Sequence, residues 1–390
     1  MVRLYQQLLD PTRSGREAEQ LEASLRSKII GQDQAIRQIV SVYQTFLAGM
    51  NSPGRPIGNF LFLGPTGAGK TRAVEATAES LVGDARAVIK IDCAEFQHGH
   101  EIAKLIGSPP GYLGHRETHP ALSQEALNRY QTEKVKLSFV LFDEIEKASD
   151  ALWNLLLGIL DKATLTLGDN RQVDFSRCII FMTSNLGASE MASILRPGLG
   201  FAPAVNAAGW IPSSLAEKVS RAGIEAARRN FTPEFLNRID KIAVFQPLDE
   251  KELRKILDLE LSILKRRFID ANQGAPFVLS VTDAAKGRLL QEGNDVRYGA
   301  RHLKRAIQRS LVHPLSNLVA TGQVRVGDWI RVDFDSQRQR LNFYKDAEDV
   351  AAEEMAAMAW ASAGEPVAAG AAPACAESSR AAKARSIRRD

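Results

Sequence analysis

The sequence predicts an α/β protein in which a parallel sheet is wound with helices and is followed by a smaller, mainly helical domain. Three observations carry this expectation. Short apolar runs at residues 60–63, 88–91, 139–142, 179–182 and 242–245 alternate with helix-favouring segments, the pattern of strands joined by helical crossovers. The first run passes straight into Gly64-Pro65-Thr66-Gly67-Ala68-Gly69-Lys70-Thr71, a glycine-rich turn with a helix-forming stretch behind it. Beyond Pro247, Asp249 caps a helix whose Leu253, Leu257, Leu261, Leu264 and Phe268 recur at intervals of three and four and so define one packing face.

Taken in chain order, residues 1–28 read as a helical extension, because residues 16–26 are charged and helix-favouring. Ile29-Ile30-Gly31 then makes a turn between two helical patterns and opens the large domain, residues 29–246. Residues 187–230 form a long insert within it, with Pro197-Gly198 and the flexible stretch 202–208. Residues 247–346 form the smaller domain: the amphipathic helix, a strand at 277–281, two further helical patterns, and a pair of strands near 329–334 and 340–344. Residues 347–390 are dominated by alanine with scattered Gly and Pro, a composition that cannot bury a core. They read as a disordered tail; the alternative is a docking segment anchored by Trp360.

The chemistry begins at the glycine-rich turn. The backbone N–H groups of Gly64 to Gly69 can close on phosphate oxygens, and the following helix aims its positive dipole end at the same anion. In the pattern G-x-x-x-x-G-K-T, Lys70 meets the β and γ phosphates and the Thr71 hydroxyl meets Mg²⁺. The run 139–142 ends in Asp143-Glu144, two carboxylates at the carboxyl edge of the sheet, where ligands bind in open α/β folds. With the phosphate loop, Asp143 would hold the water shell of Mg²⁺ and Glu144 would polarise an attacking water; alone, such a pair often only caps the next helix. Asn185, after the run 179–182, would orient that water, although an Asn at a strand end is otherwise an ordinary turn residue. ATP and Mg²⁺ are therefore the expected ligands.

Composition narrows the class. The 390 residues are too many for one core and fit two domains with appendages. With 45% apolar and 25% charged residues the chain sits at the globular average, and no apolar stretch is long enough to span a bilayer. Met1-Val2-Arg3-Leu4-Tyr5 gives way to charge rather than to an apolar signal core, so a cytoplasmic location is expected and no membrane association is. Cys93, Cys178 and Cys375 are far apart and suggest neither a disulfide framework nor a zinc site. His98, His100, His115 and His119 lack the i, i+4 spacing of a helical ligand pair and stay unassigned. A net charge of +4 over this length gives no footing for nucleic-acid binding.

The order of phosphate loop, Asp143-Glu144, Asn185, then Phe235-Leu236-Asn237-Arg238-Ile239-Asp240 and Tyr298-Gly299-Ala300-Arg301, resembles an AAA+ ATPase. More narrowly it resembles the second ATPase module of the Clp unfoldases in a single-module form, from about residue 29 to about residue 343. The resemblance implies that Arg238 is an arginine finger reaching the γ phosphate of a neighbouring subunit, and that Arg301 is the second sensor, touching nucleotide from the small domain. It implies that Ile29 and Ile30 pack around adenine. Taken alone, each arginine reads as a surface ion pair.

The resemblance further picks out residues 107–114, with Gly111, Tyr112, Leu113 and Gly114, as a pore loop whose Tyr112 ring grips a translocating chain. From composition the same segment equally suits a packed surface turn. Leu199-Gly200-Phe201 matches, in the same way, the loop by which protease-coupled Clp unfoldases dock on a ClpP-like peptidase; the alternative is that Phe201 buries on its own domain. Glu117-Thr118-His119-Pro120 departs from the family by replacing a glycine-rich stretch, and recruitment by an N-domain or a first module is not expected of a single module. The implied activity is ATP-driven threading of polypeptide through a homo-oligomeric ring, a hexamer by resemblance. Two rivals stand beside it: a nucleotide-dependent switch that remodels one dedicated partner, and a motor acting on nucleic acid.

Overall fold

The computed structural model describes residue 10 and residues 13–108, 120–195, 213–271, 277–293, 299–348 and 350. Among the described residues seven strands precede Pro247: β1 Gly58–Leu63, β2 Val88–Asp92, β3 Ser138–Asp143, β4 Thr164–Thr166, β5 Gln172–Asp174, β6 Cys178–Ser184 and β7 Lys241–Val244. Five of them form one sheet in the order β2-β3-β6-β1-β7, every pairing parallel. Each apolar run that predicts a strand lies in this sheet. β1 and β6 are inner members, with all six residues of β1 and all seven of β6 buried.

Side chains alternate across such a sheet, and the core divides accordingly. Phe60, Phe62, Phe139, Leu141, Phe181 and Phe245 face one side; Leu61, Leu63, Val140, Phe142, Ile180 and Met182 face the other. On the phenylalanine side the rings of Phe60 and Phe181 stack at 5.1 Å and those of Phe62 and Phe245 meet at 4.9 Å. The helices Arg16–Lys28, Asp33–Leu47 and Lys70–Val82 cover that side. The first of these, expected as an extension, buries Ala18, Leu21 and Leu25 in the same core, because the three lie on one helical stripe.

The opposite side is covered by Asp150–Lys162, which contributes Leu152, Leu156, Ile159 and Leu160. The segment expected as a long insert adds two helices there, Ala188–Leu195 and Ser213–Asn230, and its Met191, Val219 and Ala227 are buried in the core. Residues 196–212, which include Leu199-Gly200-Phe201, lie outside the described residues, as do the pore-loop candidates Gly111, Tyr112, Leu113 and Gly114. The antiparallel hairpin β4–β5 is not among the elements that the apolar runs predict. Each of its strands buries one side chain, Leu165 or Val173, too little to show a period.

After Pro247 the helix Glu250–Ala271 begins with a reciprocal cap: Glu252 N–H donates to Asp249 Oδ1 at 2.6 Å and Asp249 N–H donates to Glu252 Oε2 at 2.8 Å. Its Leu253, Leu257, Leu261 and Leu264 are buried and Phe268 packs against them, the face the spacing predicts. Helices Asp283–Gly293 and Ala300–Ile307 follow, the latter running through a π-helical turn, Gln308–Val312, into His313–Ala320. A three-stranded sheet of β8 Val278–Val281, β9 Trp329–Asp335 and β10 Arg340–Ala347 completes this separate core.

Candidate functional site

β1 delivers the chain to Gly64, whose φ of 144° is open to glycine; a Cβ there would lie 2.6 Å from the carbonyl oxygen of Phe245. The loop then curls around its own lysine. Lys70 Nζ donates to the carbonyl oxygens of Gly64 at 2.6 Å and Pro65 at 3.1 Å, and to Asn185 Oδ1 at 2.8 Å. Burial pushes the Lys70 ammonium down to about 8; Asp143 and Glu146 oppose that shift, and Arg301 adds to it. A desolvated cation at the mouth of a helix N-terminus is the arrangement that an anionic ligand relieves.

The facing wall is made where β3 and β6 end side by side. The Thr183 hydroxyl donates to Asp143 and accepts from Glu144 N–H at 3.2 Å, which fixes both carboxylate-bearing residues to the neighbouring strand. Glu144 adopts φ 55° and ψ 49°, a left-handed conformation that costs a side-chain-bearing residue about 1–2 kcal/mol. Lys147 donates to Glu144 Oε2 and holds the carboxyl below the ordinary glutamate range. Asn185 joins the two walls: its Oδ1 accepts from Lys70, and its Nδ2 donates to Glu144 Oε1 at 3.4 Å. Its own N–H donates to Glu146 Oε1 at 3.1 Å, which fixes the loop after β6.

The third wall comes from beyond Pro247. Ala300 N–H donates to the Gly67 carbonyl at 3.2 Å, and Gly299, at φ 49° and ψ −138°, holds a conformation that side-chain-bearing residues rarely adopt, with a Cβ there only 3.0 Å from the same oxygen, so glycine favours this close approach of the helix start to the phosphate loop. Arg301 thereby lines the cleft with Thr66, Gly67, Ala68, Gly69, Lys70, Thr71, Asp143, Glu144 and Asn185. Ile29 and Ile30 meet Leu248, Ile256 and Leu259 across its apolar end. The cavity measures about 300 Å³.

The structure thus brings together all the residues that the sequence assigns to nucleotide, with Gly64 and Pro65 reaching the site through their carbonyl contacts to Lys70. It adds others. Gln32, buried, donates to the Ala68 carbonyl at 3.2 Å and the Gln246 carbonyl at 3.0 Å, tying the phosphate loop to the residue before Pro247. Gln32, Thr183, Glu146 and the apolar wall carry no sequence signal, since each acts through a contact distant in the chain. Lys147 was open to discovery, three residues after Glu144 on a helical turn.

The family model for the AAA domain (Cdc48 subfamily) matches residues 55–242, and that for the C-terminal, D2-small domain of ClpB protein matches residues 248–332. The chain belongs to the Clp branch of the AAA+ family. It is 38% identical over 328 residues to the ATP-dependent Clp protease ATP-binding subunit ClpC of Staphylococcus epidermidis, a match covering 83% of this chain and 38% of that protein. It is 39% identical over 320 residues to the ClpC of Staphylococcus aureus, covering 81% of this chain and 36% of that one. Among solved structures, a closed-state cryo-EM reconstruction of Hsp104 with ATPγS and FITC casein superposes with a TM-score of 0.68 at 30% identity, over 84% of this chain and 52% of the Hsp104 chain. The chain therefore spans well under half of the ClpC relatives and about half of Hsp104.

Within this Clp-type module Arg238 stands apart from the cleft. It follows the short helix Pro233–Leu236, and its guanidinium meets the Glu234 carbonyl oxygen at 2.9 Å, the Glu234 carboxylate at 3.1 Å and Asp161 at 4.0 Å. The module buries both Cys93 and Cys178, and burial raises each thiol far above the ordinary cysteine range. Among the described residues no group of histidine, cysteine and carboxylate ligands is placed to hold a metal, and no helix is long and apolar enough to cross a membrane.

Proposed function

We propose that the chain hydrolyses ATP in this cleft and uses the energy, as a homo-oligomeric ring and by resemblance a hexamer, to thread polypeptide through a central pore. The observation that carries the reading is the Asn185 bridge, which puts the phosphate-loop lysine and the Glu144 carboxylate on one side chain. Lys70 neutralises the β and γ phosphates, and backbone N–H groups of the loop after Pro65 hold them in place. Glu144, kept ionised by Lys147, accepts a proton from the attacking water, while Asn185 orients that water against the γ phosphate. Thr71 and Asp143 offer a hydroxyl and a carboxylate on the same cleft, oxygen donors of the kind Mg²⁺ takes; Mg²⁺ bound there would neutralise phosphate charge. Ile29 and Ile30 with the apolar wall hold the base, and Arg301 reports phosphate occupancy to the small domain.

Arg238 belongs to the neighbour's site in this reading, consistent with its place outside its own cleft. The division into residues 29–246 and 247–346 is part of the proposal, supported by family models that meet between 242 and 248. So is a cytoplasmic location. A second reading, in which the ring feeds a ClpP-like peptidase, is favoured by the relatives described as ATP-binding subunits of Clp protease.

One assay series tests both. Purified protein should unfold a fluorescent substrate in an ATP-dependent way, and Tyr112→Ala should lose about tenfold or more of that rate, the share of a single aromatic anchor, with ATPase turnover within about twofold. Unfolding untouched by Tyr112→Ala would favour a switch acting on one dedicated partner. With a ClpP-type peptidase added, degradation that Phe201→Ala abolishes supports coupling through Leu199-Gly200-Phe201. Degradation that Phe201→Ala leaves intact removes it.

A further inference from the structure

We propose that Asn59 is the positioning residue for the arginine finger. The inference rests on the reading of Arg238 as a trans-acting finger. Asn59 is the second residue of β1, fully buried, five residues ahead of the phosphate loop. Its Nδ2 donates to the Arg238 carbonyl at 3.0 Å and to the Leu160 carbonyl at 3.2 Å. Its backbone pairs with the same turn: Asn59 N–H donates to Asp240 Oδ2 at 2.8 Å, and Asp240 N–H donates to the Asn59 carbonyl at 2.9 Å.

These bonds lock three elements. Leu160 sits near the end of Asp150–Lys162, where helical carbonyls lack intrahelical partners, and the next residue, Asp161, is one of the two carboxylates around the Arg238 guanidinium. The Asn59 amide therefore fixes the backbone of Arg238 and the helix end beside its head group at one point on the strand that leads to the phosphate loop. Arg55 contributes a weaker second donor to the Arg238 carbonyl, at 3.4 Å.

Packing alone does not account for an amide here. Asn59 Oδ1 is buried with no partner among the described residues, a cost that a leucine of similar volume would not bear. What a leucine would lack is the pair of donors. The Leu160 carbonyl would then lose the Asn59 donor and the Arg238 carbonyl would keep only the weak Arg55 donor, so the turn that carries Arg238 would be held to β1 by the backbone pairing of residue 59 with Asp240 alone.

The experiment uses full-length protein with Asn59→Leu, and Asn59→Ser as the conservative variant whose hydroxyl keeps one donor. Both are first checked for cooperative unfolding and for ATP affinity. Misplacement of a catalytic group by about 1 Å costs about a hundredfold, so Asn59→Leu should lower kcat about ten- to a hundredfold with KM for ATP unchanged, and Asn59→Ser should fall between it and wild type. The deciding readout is mixing with Lys70→Ala. An Asn59→Leu subunit that binds ATP needs only a sound Arg238 from a Lys70→Ala neighbour, so mixed rings should turn over faster than rings of either variant alone.

Arg238→Ala mixed with Lys70→Ala is run beside it. Recovery with Arg238→Ala but none with either Asn59 variant, or undiminished turnover in Asn59→Leu, overturns the positioning role. No recovery with Arg238→Ala in demonstrably mixed rings overturns the trans reading of Arg238 itself, and the role of Asn59 with it.

Discussion

Lys70→Ala is expected to lose ATP binding, whereas Glu144→Gln is expected to bind ATP and fail to turn it over. The two residues share the Asn185 bridge, but their charges serve different steps. Lys70 is a buried cation whose partners in the described structure are two carbonyls and an amide oxygen, so phosphate is the anion that completes it. Removing one partner of a buried, hydrogen-bonded charge pair costs about 2–5 kcal/mol, roughly thirty-fold to several thousand-fold in Kd. Glu144 carries its charge for proton transfer, and losing a positioned general base costs about 10²–10⁴ in kcat. Equilibrium binding of a fluorescent ATP analogue, measured beside single-turnover hydrolysis, separates the roles. Equal loss of binding in both variants would refute the division.

The buried lysine adds a pH signature to the same experiment. Its value in the folded, ligand-free protein, about 8, lies below that of a free lysine, 10.5. Below pH 8 the ammonium is present and its burial penalty is complete; as pH rises from 8 to 10.5 the folded state sheds the proton first, so this group adds stability across that window. ATP reverses the preference by favouring the ammonium. Affinity in wild type should therefore weaken as pH passes about 8, and Lys70→Ala should lack that step.

Arg238→Ala is expected to lower turnover by about 10³–10⁵ while each subunit still binds ATP, the scale of a guanidinium supplied in trans to phosphoryl transfer. The physical basis is positional. Arg238 does not line its own cleft, and its charge rests on Glu234 and Asp161, both at the surface. Ion pairs to exposed carboxylates contribute little, about 0–1 kcal/mol each, so these two pairs by themselves offer little resistance to a turn of the guanidinium toward a neighbour's γ phosphate. Nucleotide titration and steady-state turnover of the variant test this directly. A variant with wild-type turnover, or one that cannot bind ATP, would remove Arg238 from the neighbour's site.

The candidate nucleotide site was legible because the pattern that proposes it is local. Eight consecutive residues build the phosphate loop, and a strand ending in two carboxylates is a pattern of adjacent positions. The five strands of the large sheet were legible for the same reason, each being a short apolar run, and the three inner ones, β3, β6 and β1, are buried on both faces. The hairpin β4–β5 was not, since one buried side chain per strand leaves no period to read. The helix Arg16–Lys28 was visible as a helix, but its charged face hid the three residues that make it core.

By itself, then, the sequence determined the strand set, the phosphate loop, the acidic pair and the apolar face of Glu250–Ala271, because each is written in neighbouring residues or in one helical period. The tertiary structure alone decided that Asn185 spans Lys70 and Glu144, that Gly299 admits the Arg301 helix to the phosphate loop, that Gln32 ties that loop to Gln246, and that Asn59 holds the Arg238 turn. These contacts join residues far apart in the chain through single polar atoms. No periodicity or local spacing encodes such a contact; it exists only once the chain has folded, with β3, β6, β1 and β7 side by side and the helix after Gly299 against the loop.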